Sequence, residues 1–233
     1  MGIYADIKED FSNVYKNDPA LSSRLDFLFN YPGVWAIAWY RIAHKLYCSN
    51  FKTLARVILG FNQILTNIDI HPGAVIGRRV FIDHGFGVVI GQTSIIEDDV
   101  LIYQGVTLGG VSLTQGKRHP TIKKGAVLGA GAKVLGNITI GEYAKIGANS
   151  VVVKPVPNNA TAIGIPAHVI EKGRCKDPLM HNLLPDINKE MFEYLLKRVA
   201  VLEHILVEDN KELLEQDLEL ENIYESFIRA MKS

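Results

Sequence analysis

Aliphatic residues recur at every sixth position through the middle of the chain: Ile70, Ile76 and Ile82, then Ile90, Ile96, Ile102 and Leu108, then Ile122, Leu128, Val134, Ile140, Ile146 and Val152. This period matches neither the roughly 3.6-residue repeat of an amphipathic helix nor the alternation of a two-faced strand. It matches the hexapeptide repeat of a parallel β-helix, in which each hexad forms one flat side of a triangular prism and about three hexads complete a coil. The anchors then stack inside as aliphatic columns. The pattern predicts such a prism over residues 69–172, closing near Gly164-Ile165-Pro166-Ala167.

The period slips in two places. Two residues too many separate Ile82 from Ile90, across His84-Gly85-Phe86-Gly87, and the excess between Leu108 and Ile122 falls in the polar, Gly-containing stretch from Gly109 to Thr121. Insertions in a solenoid leave the prism as loops, and loops on a rigid scaffold are where function concentrates. Each of these two holds a histidine, His84 and His119.

Outside the repeat the spacing turns helical. Ile7, Phe11, Val14 and Tyr15 share a face, Pro19 and Pro32 punctuate, and Val34 to Tyr47 and Lys52 to Leu65 continue the pattern, so residues 1–68 read as an N-terminal helical segment. Pro178 and Pro185 mark a linker over 173–185, and residues 186–233 contain neither Gly nor Pro. That last stretch carries a heptad with Phe192, Val199, Leu206, Leu213, Leu220 and Phe227 at a, and Leu195, Leu202, Asp209, Gln216, Ile223 and Ala230 at d. It predicts a long C-terminal helix packed on copies of itself or on its own prism. The fold class is α+β.

Composition narrows the partners. The 233 residues carry 25 basic and 25 acidic side chains, a formal net charge of zero, which argues against nucleic acid or an anionic membrane as an obligatory partner. A small-molecule substrate fits better. Cys48 and Cys175 form neither a disulfide framework nor a CxxC metal pattern, and Met1 to Asp6 lacks the basic region and apolar run of a signal peptide. Arg41, His44 and Lys45 interrupt the most apolar helical stretch, far short of the roughly eighteen residues a membrane span needs. A reduced, cytoplasmic protein is expected.

The candidate chemistry lies at the slips. By the count of three hexads per coil, Ile90 falls one coil from Ile70, which brings the bulge at His84 to Gly87 near Asp69. An imidazole oriented by a carboxylate is suited to act as general base for a hydroxyl. The second insertion supplies Lys117-Arg118-His119-Pro120, read as a cationic cluster that fits a carboxylate.

These residues resemble a known family. Asp69-Ile70-His71-Pro72, Asp83-His84, Thr107-Leu108-Gly109-Gly110, Arg118-His119-Pro120, Gly129-Ala130-Gly131-Ala132 and Gly164-Ile165-Pro166-Ala167, with Asn17-Asp18-Pro19-Ala20 upstream, look like the serine O-acetyltransferases, over roughly residues 18–172. The resemblance implies a left-handed coil and transfer of acetyl from acetyl-CoA to L-serine, without a metal, as the first step of cysteine synthesis. It implies His84 as general base with Asp69 orienting it, Asp18 and Asp83 on the serine ammonium, and Arg118 and His119 on the carboxylate. Gly110, Ala130 and Ala148 would flank the pantetheine arm of CoA, with Lys145 near the phosphates and the Gly110 amide facing the oxyanion.

The chain also departs from that family. Gln92 stands where an acidic residue is expected. Only seventeen residues precede Asp18, whereas long members carry a larger helical N-terminus that joins two trimers, so a homotrimer is expected ahead of a hexamer. The chain ends Ala230-Met231-Lys232-Ser233 rather than in the isoleucine that docks into O-acetylserine sulfhydrylase, so that complex is not expected. Two rival activities share the architecture: acetylation of another hydroxyl acceptor, homoserine or a sugar, and a γ-carbonic-anhydrase-like zinc enzyme using His71, His84 and His119. A non-catalytic trimeric scaffold is the third.

Overall fold

The computed structural model describes residues 3–17, 30–170, 192, 194–200 and 202, with the side chains of 13–17 and 170 excepted. Asp18, the proposed linker and most of the heptad stretch lie outside the described residues. Residues Met1–Leu183 form one compact unit and Leu184–Ser233 another.

The hexad anchors become three columns. The first face pairs β1 (Asp69–Ile70), β4 (Val89–Ile90), β7 (Thr107–Gly109), β10 (Lys133–Leu135) and β13 (Val151–Val152) in that order, stacking Ile70, Ile90, Leu108, Val134 and Val152. The second pairs β2 (Val75–Ile76), β5 (Ile95–Ile96), β8 (Thr121–Ile122) and β11 (Thr139–Ile140), stacking Ile76, Ile96, Ile122 and Ile140. The third pairs β3 (Phe81–Ile82), β6 (Leu101–Ile102), β9 (Val127–Leu128), β12 (Lys145–Ile146) and β14 (Thr161–Gly164), stacking Ile82, Ile102, Leu128, Ile146 and Ala162. Apart from the antiparallel hairpin of β14 with β15 (Ala167–Ile170), these named pairings are parallel. Every hexad anchor is at most 6% exposed, so the period of six is the period of the core.

The prism turns because one residue per coil takes a left-handed conformation at two of its three corners. Between the third and first faces these are Gly87, Gly105, Gly131 and Asn149, and between the second and third Arg79, Asp99, Gly125, Tyr143 and Asn159. Successive corners are joined along the axis: the amides of Gly105, Gly131 and Asn149 each donate at 2.8 Å to Phe86, Gln104 and Ala130 respectively. A Cβ on Gly105 would approach the Cα of Gly131 to 3.4 Å, so this corner combines positive φ with close stacking.

Helices close one end of the prism. α1 is Ile3–Asn17, α2 Pro32–Cys48 and α3 Lys52–Thr66. Pro32 opens α2, where a missing N–H costs nothing. The buried face of α2 runs through Val34, Ile37 and Tyr40, and Gly33 lies so close to the wall that a Cβ there would stand 2.1 Å from the Ile82 carbonyl oxygen. Asn67 ends α3 in the left-handed conformation, and Ile68, fully buried, enters the base of the core. Arg41 joins α1 to the prism through Asp10 at 3.1 Å and the Ile76 carbonyl at 2.6 Å.

Tyr40 is the other fastening. Its hydroxyl donates to the Ala74 carbonyl at 2.6 Å and accepts from the Ile76 amide at 3.2 Å, and burial pushes its ionisation far above the usual range. Tyr40→Phe would strand both backbone groups at a buried site, so it should lower unfolding stability by about 1–3 kcal/mol while leaving the fold intact. Denaturant unfolding measures it, and an unchanged midpoint would count against this role.

Candidate active site

The first cluster sits where the third face turns into the first. Asp83 is held by its amide, which donates to the Ile102 carbonyl at 2.8 Å, and Asp83 in turn accepts the Gly85 amide at 2.7 Å. This tight turn puts His84 at φ 58°, a conformation that non-glycine residues avoid at a cost of roughly 1–2 kcal/mol. Strain of this kind gathers at functional sites when neighbours enforce it. Here they do: a Cβ on Gly85 would fall 2.6 Å from the Ile68 Cδ1, and the Gly87 amide donates to the Asn67 carbonyl at 2.9 Å. The bulge is thus fastened to the base of the prism while the His84 side chain stays 73% exposed.

The carboxylate within ion-pair distance of His84 is that of Asp83, with Nε2 and Oδ1 4.0 Å apart. Asp69 lies exposed on β1, paired with Val89 just beyond the bulge, as the three-hexad count requires. The structure does not close an Asp69–His84 hydrogen bond in the single chain. Tyr103, on the same corner one coil on, has its phenol pushed up by burial and by the Asp83 carboxylate.

The second cluster sits where the first face turns into the second. Arg118 Nη2 donates to Gln92 Oε1 at 2.9 Å. A neutral amide in place of the expected carboxylate leaves the guanidinium charge uncompensated by this partner. His119 is buried, and its Nδ1 receives the Thr93 amide at 3.2 Å. A nitrogen that accepts from an amide carries no proton, so the ring is the Nε2–H tautomer. Burial first, then Arg118 and Lys117, hold His119 below its usual 6.5. His119 therefore departs from the expected cationic cluster: it is a neutral donor. Lys117 is also drawn inward, donating to the carbonyls of Thr93 at 2.7 Å and Pro120 at 3.1 Å.

His71 belongs to the same corner and repeats the device. Its Nδ1 accepts the Gly73 amide at 2.9 Å, and burial, Arg56, His119 and Arg118 lower its pKa against the opposing pull of Asp69. Arg118, Gln92 and Thr93 line a cleft of about 540 Å³ whose outer wall is the segment from Ser112 to Gly116. Of the residues that carry this geometry, His71 and Gln92 were visible in the sequence through the resemblance, whereas Thr93 was not, and its only signal is that it lies in a hexad at the corner of the second slip.

The remaining candidates fall on both corners. Ala130 and Ala148 each stand two residues beyond a paired anchor, Leu128 and Ile146, so they stack one coil apart on the His84 corner, and Lys145 is the residue before Ile146. Gly110 lies on the other corner, where a Cβ would meet the Arg118 stem at 3.2 Å. The first face separates the two clusters. His84 is likewise divided from His71 and His119, and among the described residues no three His, Cys, Asp or Glu side chains converge as a zinc site requires.

The chain is similar to known proteins in both sequence and structure. Residues 119–154 match the family model described as bacterial transferase hexapeptide (six repeats). The chain is 48% identical to the serine acetyltransferase of Bacillus subtilis over 212 residues, 90% of this chain and 97% of that one. It is 50% identical to the serine acetyltransferase of Mycobacterium tuberculosis over 198 residues, 84% of this chain and 86% of that one. Among solved structures, a serine acetyltransferase in complex with cysteine superposes with a TM-score of 0.71 at 46% identity, covering 74% of this chain and 67% of that one. Another in complex with CoA gives 0.67 at 47% identity, covering 72% and 70%.

The neutral imidazoles generate a testable expectation. His71 and His119 should titrate below 6.5, followed through their ring nitrogens by NMR. A lowered folded value means the unfolded chain takes up protons first, so stability should fall as pH drops below about 6.5 toward the folded values. Titration above 6.5 would contradict the neutral state assigned to these rings.

Proposed function

The chain belongs to the serine acetyltransferase family, and we propose how its residues carry out the reaction: the acetyl group of acetyl-CoA passes to the hydroxyl of L-serine, giving O-acetylserine and CoA in the first step of cysteine synthesis. The prism is the left-handed β-helix of that family. The observation that carries the reading is the exposed, strained His84 beside Asp83 at one corner and the Arg118–His119 donors at the other.

His84 takes the proton from the serine hydroxyl as its oxygen forms a bond to the acetyl carbonyl carbon; as the carbon–sulfur bond breaks, the same imidazole returns the proton to the thiolate. Asp69 orients His84 in the closed site, Asp83 and Asp18 hold the ammonium, and Arg118 and His119 hold the carboxylate. Ala130 and Ala148 give the pantetheine arm a track with small side chains, Lys145 meets the phosphates, and the Gly110 amide faces the oxyanion.

Only Cα and Cβ separate the carboxyl carbon of serine from its hydroxyl, so one serine cannot reach both corners of one prism across the first face. The reading therefore includes a homotrimer, in which the His84 corner of one chain faces the Arg118 corner of the next. Phe86, Val111 and Leu113, apolar and more than half exposed, support contact there, and within the second unit the heptad residues Phe192, Leu195, Val199 and Leu202 are exposed as a self-association seam would be. In this organisation residues 1–68 close the prism, 69–172 are catalytic, and 173–185 link them to an assembly helix at 186–233. A cytoplasmic setting follows from a co-substrate too large and charged to cross a membrane unaided. Because a solved relative binds cysteine, L-cysteine is proposed to compete with serine for the same Asp and Arg groups.

His84→Ala should lose on the order of 10² to 10⁴ in kcat while CoA binding by calorimetry is kept. Near-native turnover would place the base elsewhere. Arg118→Ala should raise the KM for serine more than it lowers kcat, because the carboxylate it grips does not react. A panel of serine, homoserine and sugar acceptors tests the substrate, and preference for any acceptor but serine would overturn it.

A further inference from the structure

Thr93 has every polar atom committed to one neighbouring segment. Its hydroxyl oxygen accepts the backbone amides of Arg118 at 3.0 Å and His119 at 3.1 Å. A hydroxyl has two acceptor lone pairs and a single proton, so the proton is left for His119 Nδ1, 2.9 Å away. The Thr93 amide reaches the same nitrogen, and the Thr93 carbonyl accepts from Lys117. Gly91 makes room for the result: a Cβ there would fall 2.0 Å from the His119 Cδ2 and 2.1 Å from Nε2, so the ring lies against bare backbone.

We propose that Thr93 is a positioning residue for the acceptor: it fixes His119 as a neutral Nε2–H donor and pins the Arg118 main chain, so that imidazole and guanidinium meet one carboxylate together. This rests on the assignment of Arg118 and His119 to serine. A latch that merely held the insertion closed would need the amides bound to Thr93 Oγ but would be indifferent to which imidazole nitrogen is protonated. A released insertion would also displace Arg118 and raise the serine KM, so the tautomer is the readout that separates the two roles.

The test compares Thr93→Val, which keeps the shape and removes the hydroxyl, with Thr93→Ser, which keeps the hydroxyl. Thr93→Val should raise the serine KM about tenfold or more, with the acetyl-CoA KM changed less than about threefold, and nitrogen-15 NMR of His119 should show part of the population leaving the Nε2–H tautomer, because the closer hydroxyl donor at 2.9 Å is lost and only the amide at 3.2 Å remains. Thr93→Ser should restore both. An unchanged serine KM and tautomer in Thr93→Val, or equal loss in Thr93→Ser, overturns the inference. Should Thr93→Val fail to fold, the native enzyme still decides: an Nδ1–H tautomer or an imidazolium at pH 7 overturns it. His119→Ala separates the two levels, because an unchanged serine KM there removes the site assignment itself, whereas a raised one beside a normal Thr93→Val removes only the role of Thr93.

Discussion

The constraint on which the rest depends is the left-handed corner. At two of the three corners every coil turns through a residue at positive φ, and these corners are built from Gly, Asn, Asp and a few tolerated larger residues. Once those corners stack through amides bonded along the axis, the aliphatic anchors have no choice but to fall into columns. The core follows from the corners, and any residue added at a corner is expelled outward because the columns cannot shift. Both insertions are expelled in this way, which explains why a fold with so little variety in its interior carries chemistry at its edges.

The two insertions solve different electrostatic problems. At the His84 corner the backbone is strained and an imidazole stands exposed beside the Asp83 carboxylate, as the proposed proton transfer requires. At the Arg118 corner burial, then neighbouring cations, hold both imidazoles below their usual 6.5, and amides aimed at Nδ1 fix the tautomer, so the guanidinium is the charge that stands beside two neutral rings. His84 and His119 are thereby set in opposite surroundings, one exposed beside a carboxylate and the other buried with its Nδ1 accepting an amide. Gln92 fits the second task, since an amide orients Arg118 without neutralising it.

The prism was legible because its period is enforced by burial: each of the predicted anchors is in the core, and the first slip marks the strained turn. The helical spacing before Asp69 was equally plain, and α2 and α3 run to Cys48 and Thr66, a residue beyond the apolar pattern in each case. The state of His119 was not legible, since neighbouring Lys117 and Arg118 suggested a cationic cluster while burial lowers its pKa and the group that fixes its tautomer, Thr93, lies 26 residues away in sequence. The same holds for Gly91, whose need for a missing Cβ appears only when the second insertion folds back over it. Contacts between coils are invisible to a periodicity that reports only on the interior.

The central claim is that one acetyl transfer requires two corners from different chains. Mixing His84→Ala with Arg118→Ala chains by joint refolding tests it most directly, with turnover read at serine well below its KM. If the site is shared, an interface can combine an intact His84 corner with an intact Arg118 corner, and about a quarter of native activity should return with random mixing. Activity no greater than the sum of the two variants measured apart would mean that each chain holds a complete site, and would contradict the account.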